Sequence, residues 1–303
     1  MLDSWAPRIA GMSGWRRQEV LRMRVQIRFQ VVAASLMAGA CFAAAPAAAA
    51  GVALAPHRAV YDLKLLKSHG KRSVEAVRGR ILYDFAGSAC EGYALQFRQV
   101  SEIDSGEGKM ALSDLRAATW EDGDAKSFRF NSENKVNEHV VDTVDGSAGR
   151  DSSGMSVKLV KPQPKNFDLD AKVVFPTEHV RRVIEAAEAG KTLLELSVYD
   201  GSESGDKVFS TLAVIGNAIA PGEKLPDDAA AGNATLAGLK RWPVTISYFE
   251  QGAAKTGEQT PAYAIGFELY ENGVSRALSL DYGDFVVSGT MSQLDLKDAP
   301  ACK

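Results

Sequence analysis

From residue 51 to the carboxyl end the chain alternates apolar and polar residues with a period of two, in runs bounded by Gly, Asp, Asn and Ser. That period sends successive side chains to opposite faces of a strand, so the pattern dictates antiparallel sheet with one face buried. The runs read as strands are 59–66, 74–85, 93–103, 116–120, 127–130, 136–144 and 156–160. Beyond Pro162-Gln163-Pro164 they resume at 191–199, 207–215, 244–249, 263–270, 275–281 and 285–294. About thirteen strands without a repeat period or long linker predict one all-β domain over 51–303. A sheet of that width must close, spiral or be capped to hide its edges, and its curl leaves an interior.

Local signals refine this. Glu271-Asn272-Gly273 between two alternating runs predicts a hairpin with a two-residue type I′ turn. Asp281-Tyr282-Gly283-Asp284 turns the chain into 285–291, and Gly289 marks a bulge or sharp bend. One helix is predicted from Thr177 to Ala189, capped by Thr177, with Val180, Val183, Ile184 and Ala187 at helical spacing and Gly190 past its end. Its narrow apolar stripe suggests that it covers an opening or edge of the sheet.

The first 50 residues differ. Arginines precede an apolar run at 29–45, which is short of the roughly 20 residues that span a bilayer and ends in Ala48-Ala49-Ala50. Residues 1–50 therefore read as a secretory signal peptide, with Met23 as an alternative start, an uncleaved anchor as the competing reading, and Gly51 as the first mature residue. Export places the mature chain in the periplasm, not spanning the membrane. Cleavage also removes Cys41 and leaves Cys90 and Cys302, in a compartment where disulfides persist. Pairing is the expectation and two free thiols the alternative; neither cysteine has a C-x-x-C partner for redox catalysis.

With 35 basic and 38 acidic residues the net charge is -3, and the six arginines of the leader make the remainder more acidic still. No basic stripe is present to bind nucleic acid. His57, His69, His139 and His179 show no metal-binding spacing, and the acidic loop Asp200–Asp206 lacks the ligand pattern of an EF-hand and reads as a solvated hairpin. No nucleophile elbow occurs. The sequence thus nominates no catalytic, cofactor or metal residue.

Several segments in order carry a resemblance. Phe175-Pro176-Thr177-Glu178-His179 precedes a helix ending at Gly190; Tyr199-Asp200-Gly201, Trp242-Pro243-Val244 and Ser247-Tyr248-Phe249 follow. Leu269-Tyr270-Glu271-Asn272-Gly273-Val274, Leu280-Asp281-Tyr282-Gly283-Asp284-Phe285 and Cys302 complete the set. Over about 57–302 the chain resembles EipB-type proteins, periplasmic cell-envelope integrity proteins of Gram-negative bacteria. The resemblance implies a long antiparallel sheet curled into a broken, spiral β-barrel of about 13–14 strands, one disulfide at Cys90 and Cys302, and an envelope role without catalytic residues to carry over.

Two function classes follow. The first is a non-enzymatic, monomeric binder whose concave face holds a lipid, a lipoprotein segment or a periplasmic protein. The second is a hydrolase of envelope polymer, with Asp281 or Asp284 beside His179.

Overall fold

The computed structural model describes residues 51–69, 74–152, 154–224, 226–252 and 260–302. The leader reading of residues 1–50 lies outside the described residues.

Eight strands come first: β1 (His57–Ser68), β2 (Ala76–Ser88), β3 (Gly92–Asp104), β4 (Met110–Glu121), β5 (Ser127–Val136), β6 (His139–Asp151), β7 (Gly154–Lys161) and β8 (Lys165–Leu169). Helix α1 (Pro176–Glu188) follows, then β9 (Leu193–Val198) and β10 (Phe209–Ile215). A short 3-10 turn (Ala229–Gly232) and α2 (Ala234–Ala237) lead into β11 (Arg241–Glu250), β12 (Tyr263–Tyr270), β13 (Ser275–Asp281) and β14 (Phe285–Leu296). All fourteen strands join one sheet in the order β8-β7-β6-β5-β4-β3-β2-β1-β14-β13-β12-β11-β10-β9. Each strand pairs with its sequence neighbour except at the centre, where β1 meets β14. Strands β8 and β9 are the two edges, so the barrel is not closed.

The sheet curls around three apolar clusters. In one, Val183 and Ile184 of α1 pack with Phe85, Tyr93, Ala213, Ile246 and Leu269 from five strands. A second gathers Tyr61, Ile81, Tyr270 and Met291 around Ala230 and Leu236 of the short helical segment. In the third, Phe128 stacks on Phe175 at 5.1 Å and Phe130 meets Tyr199 edge-on at 5.6 Å, fastening β5 to the residues that flank α1 and end β9. Val174 adds one parallel bridge to Val198, which covers the end of the β9 edge.

Several local expectations need correction. The sequence reading missed β8, whose five residues after the proline break offer only Phe167 and Leu169 as half-buried positions. Val136 ends β5, because Asn137 and Glu138 both take positive φ (50° and 67°) and make the tight turn before β6. At 271–273 only Gly273 has positive φ (87°), and its N–H donates to Tyr270 O at 2.9 Å, so the turn is not type I′. Gly289 pairs in register with Leu63 and Leu278; a Cβ there would come within 3.0 Å of the Leu278 Cβ, and the bulge lies nearby, where Val60 and Tyr61 face Gln293 and Met291. Helix α1 lies against the edge strand β9, as expected of a cover, but its apolar side also packs inward. Val183, Ile184, Ala186 and Ala187 are buried inside the curl.

Cys90 and Cys302 are joined, with Cα atoms 5.5 Å apart across a sequence separation of 212. The bond ties the end of the chain to the β2–β3 turn.

Candidate binding face

Strand alternation fixes which side chains face inward. Phe85, Tyr93 and Ile246 belong to the cluster around α1, so Tyr83, Leu95 and Phe97 share the concave side, as does Tyr248. Register then places Phe97 beside Ala117 and Ser132, and Gln99 beside Leu115 and Asn134. On the opposing strands Tyr263, Ile265 and Phe267 face the same interior.

These positions are less buried than the cluster residues they pack against. Leu95, Phe97, Leu115, Tyr263, Ile265 and Phe267 are only half-buried. Tyr83 touches both the α1 cluster and the second cluster, so it stands at their junction. These side chains form an inner strip, the trough, along β2–β4 and β11–β12, with Leu95 and Phe267 packed against the α1 cluster and Phe97 and Ile265 against the second. Gln99 Nε2 donates to the Tyr282 hydroxyl at 3.3 Å and links β3 to the β13–β14 turn.

Polar groups gather at one part of this trough. Tyr248 and Tyr263 stack at 4.4 Å, Phe209 meets both edge-on, and the His179 ring lies at 88° to Tyr248. His179 Nε2 lies 3.3 Å from Thr211 Oγ1, which donates to Leu196 O. Burial lowers the His179 pKa to about 4, so the imidazole is neutral at physiological pH. Asp200 accepts the Ser202 N–H at 2.9 Å, and desolvation raises its pKa. Burial and the Asp200 charge both push the Tyr248 and Tyr263 phenols upward.

The Asp200–Asp206 loop is the β9–β10 hairpin connection, exposed at Glu203, Ser204 and Asp206 but buried at its two glycines. Gly201 (φ 68°) sits against the Phe130 ring, Gly205 (φ 78°) lies against Val144 and Leu159, and Tyr199 Oη donates to Gly205 O at 2.6 Å. The glycines admit the loop into the mouth of the curl at β5–β7, where any side chain would collide.

The remaining histidines and the carboxylates of the hydrolase reading are scattered. His57 Nδ1 contacts Ala55 O, His139 Nδ1 contacts Asn137 O, and His69 is exposed. Asp281 accepts the Gly283 N–H at 2.9 Å, and it alternates with the core residue Leu280, so it faces away from the trough. His179 has Thr211 as its side-chain partner, not Asp281 or Asp284. Among the described residues, no three of His, Cys, Asp and Glu converge as a metal site. A surface cleft of about 780 Å³, lined by Val140, Val141, Lys161, Pro162, Glu203 and Lys207, lies apart from the trough, and its Lys207 is already paired with Glu203 and Glu250.

One arrangement escaped the sequence reading. The N-cap of α1 is Phe175, with Pro176 following it, and Thr177 makes no side-chain cap. Glu121 of β4 takes that role: its carboxylate accepts the N–H groups of Thr177 at 2.6 Å and Glu178 at 2.8 Å. Glu178 in turn binds Arg150 at 3.0 Å, and Arg181 donates to Gly123 O. The helix is thus anchored inside the curl by β4 and β6.

The family model described as EipB-like matches residues 48–298. The chain belongs to the EipB-like family. The cell envelope integrity protein EipB of Brucella abortus (strain 2308) is 38% identical over 274 residues, covering 90% of this chain and 95% of the relative. The crystal structure of a β-barrel-like protein of the domain of unknown function DUF1849, also from Brucella abortus, superposes with a TM-score of 0.73. That match is 38% identical and covers 81% of this chain and 99% of the solved one. Membership of the EipB-like family accords with the unclosed fourteen-stranded sheet described above.

Proposed function

We propose that this EipB-like protein acts in the periplasm as a non-enzymatic, monomeric binding protein that supports cell-envelope integrity. Its concave face holds a lipid, a lipoprotein segment or a protein. The observation that carries this reading is the trough: large inward-facing apolar side chains, with Leu95, Phe97 and Leu115 on one wall and Phe267 on the other, stay partly exposed between two packed cores. A protein that used its sheet only as a scaffold would gain by covering them, at roughly 25 cal/mol for each Å² removed from water. The name of the Brucella abortus relative supports the envelope role.

The test compares two variants on the same strand in a host lacking the chromosomal copy. Leu115→Glu puts a charge into the trough, whereas Arg116→Ala alters the outer face beside it. With both proteins folded by circular dichroism, Leu115→Glu is expected to lose protection against envelope-disrupting detergent and Arg116→Ala to keep it. Full protection by folded Leu115→Glu would remove the trough from the function.

A further inference from the structure

We propose that the overhanging start of β6, residues 139–144, takes an extended segment of a partner protein as an added strand. The segment carries a basic residue flanked by aliphatic ones, with an acidic side chain on the basic residue's face. This site is separate from the concave face and does not depend on it.

The edge arises from unequal strand lengths. β6 pairs with β5 from His139 onward, but its ladder to β7 begins only where Asp145 meets Lys161. Pro162 follows and has no N–H to carry β7 further, so the chain turns into β8. Among the described residues, no strand, bridge or loop backbone pairs with residues 139–144 on the side away from β5. Every second residue there turns its N–H and C=O outward, along an edge about 20 Å long.

The surroundings suit a strand. The edge borders the cleft of about 780 Å³, whose other sides are Lys161, Pro162 and the β9–β10 connection at Glu203, Ser204 and Lys207. Val140 and Val141 beside it are each 51% exposed. An alkyl chain would cover the valines and leave the backbone groups unmet, whereas an extended peptide satisfies both.

Charge selects the sequence of the segment. Val141 is the extra residue of a bulge, which puts Val140 and Asp142 on opposite faces: Asp142 pairs with Asn134 on the face of Phe130, and Val140 pairs with Lys135 on the other. An added strand therefore meets a carboxylate on one face and aliphatic surface on the next. Among the described residues Asp142 and Lys161 have no ion-pair partner, whereas Lys207 is held by Glu203 and Glu250. A basic residue answers Asp142 and an acidic one answers Lys161. The same edge of a second copy has no Lys or Arg to offer Asp142.

The experiment follows the fluorescence anisotropy of a labelled peptide, Thr-Glu-Val-Lys-Val-Glu-Thr, which reads alike in both directions, as the purified full chain is added. It is expected to bind saturably and roughly fivefold more tightly than the charge-reversed Thr-Lys-Val-Glu-Val-Lys-Thr. Asp142→Lys combined with Lys161→Glu is expected to reverse that preference. Two further peptides are N-methylated, one at both valines and the other at Lys and one Glu. Only alternate residues face β6, so one of the two is expected to weaken by roughly tenfold and the other to bind as before. That comparison uses the wild type and decides the question even where the double variant fails to fold. Affinity weaker than about 1 mM for the first peptide, equal binding of the two N-methylated peptides, or an unreversed preference in the folded double variant overturns the proposal. A concentration-dependent dimer that the peptide dissociates would assign the edge to a second copy and overturn it as well.

Discussion

Glu121, at the end of β4, receives the backbone N–H of Thr177 at 2.6 Å across a sequence separation of 56 residues. A side chain 1% exposed thereby sets the position of a helix that fills the curl of the sheet. Desolvation outweighs the two N–H bonds and raises the Glu121 pKa to about 7. A carboxyl whose pKa is higher folded than unfolded contributes most at low pH, and its contribution is lost as pH rises through 4.5 toward 7. The wild type should lose up to about 3 kcal/mol across that window relative to Glu121→Gln. Denaturant melts of both proteins at pH 5 and pH 8 check this, and equal pH slopes would refute it. Glu121→Ala, which leaves two buried N–H groups unmet, should cost about 1–3 kcal/mol at pH 5 and, like Glu121→Gln, should lack the wild-type decline toward pH 8.

His179 titrates with the opposite sign. Its pKa is lowered to about 4 by burial, so its contribution is present above the unfolded value of 6.5 and is lost as pH falls. Replacing it with Gln should flatten the decline in stability between pH 6.5 and pH 4 by up to about 3 kcal/mol. His57, also lowered by burial, keeps part of the slope in that variant. A His179→Gln protein with the wild-type acid limb would show that the imidazole is not desolvated.

The Cys90–Cys302 bond closes a loop of 212 residues. The chain-entropy model assigns such a closure roughly 5 kcal/mol, as an upper figure. Reductant should lower the melting temperature of the wild type and leave the Cys90→Ser, Cys302→Ser double variant unmoved. Two titratable thiols in protein freshly isolated without reductant would contradict the link.

Gly201 stands at φ 68° with the Phe130 ring where a side chain would begin. Gly201→Ala adds backbone strain and a collision, and should destabilise by about 1–3 kcal/mol. Gly190→Ala serves as the comparison, having φ 70° but open space around it, so it should lose only the conformational share of about 1 kcal/mol. Thermal melts of the two variants separate the steric part from the backbone part, and equal losses would show that Phe130 yields without cost.

The bounds of β12 and β13 were legible in the sequence because alternation there is unbroken and Asn272-Gly273 separates the two runs. What failed was whatever depended on a distant partner. Thr177 reads as a helix cap from its neighbours, yet Glu121 supplies the group that does the capping. Asp200–Asp206 reads as solvated because it is acidic and rich in glycine, whereas those glycines let it enter between Phe130 and Leu159. Alternation announced an inward face over 263–269 but carried no sign of which inward residues α1 would cover. Leu269 lies against the helix cluster and is buried; Tyr263, on the same strand face, is half open.

The pairing of β1 with β14 joins the first strand to the last in the middle of the sheet. Each half, β1 to β8 and β9 to β14, is a meander of sequential neighbours, so apart from the longer 216–240 connection its hairpins close short loops and form without waiting for distant chain. The seam between the halves has no such advantage. A chain that emerges from its amino end holds β1 with one side unpaired until residues 285–296 arrive, and during that interval β1 is an edge open to mispairing. Pulse-labelled hydrogen exchange should therefore find the β1–β14 amides protected last, and the finished sheet is in effect two runs of hairpins latched together by the final strand.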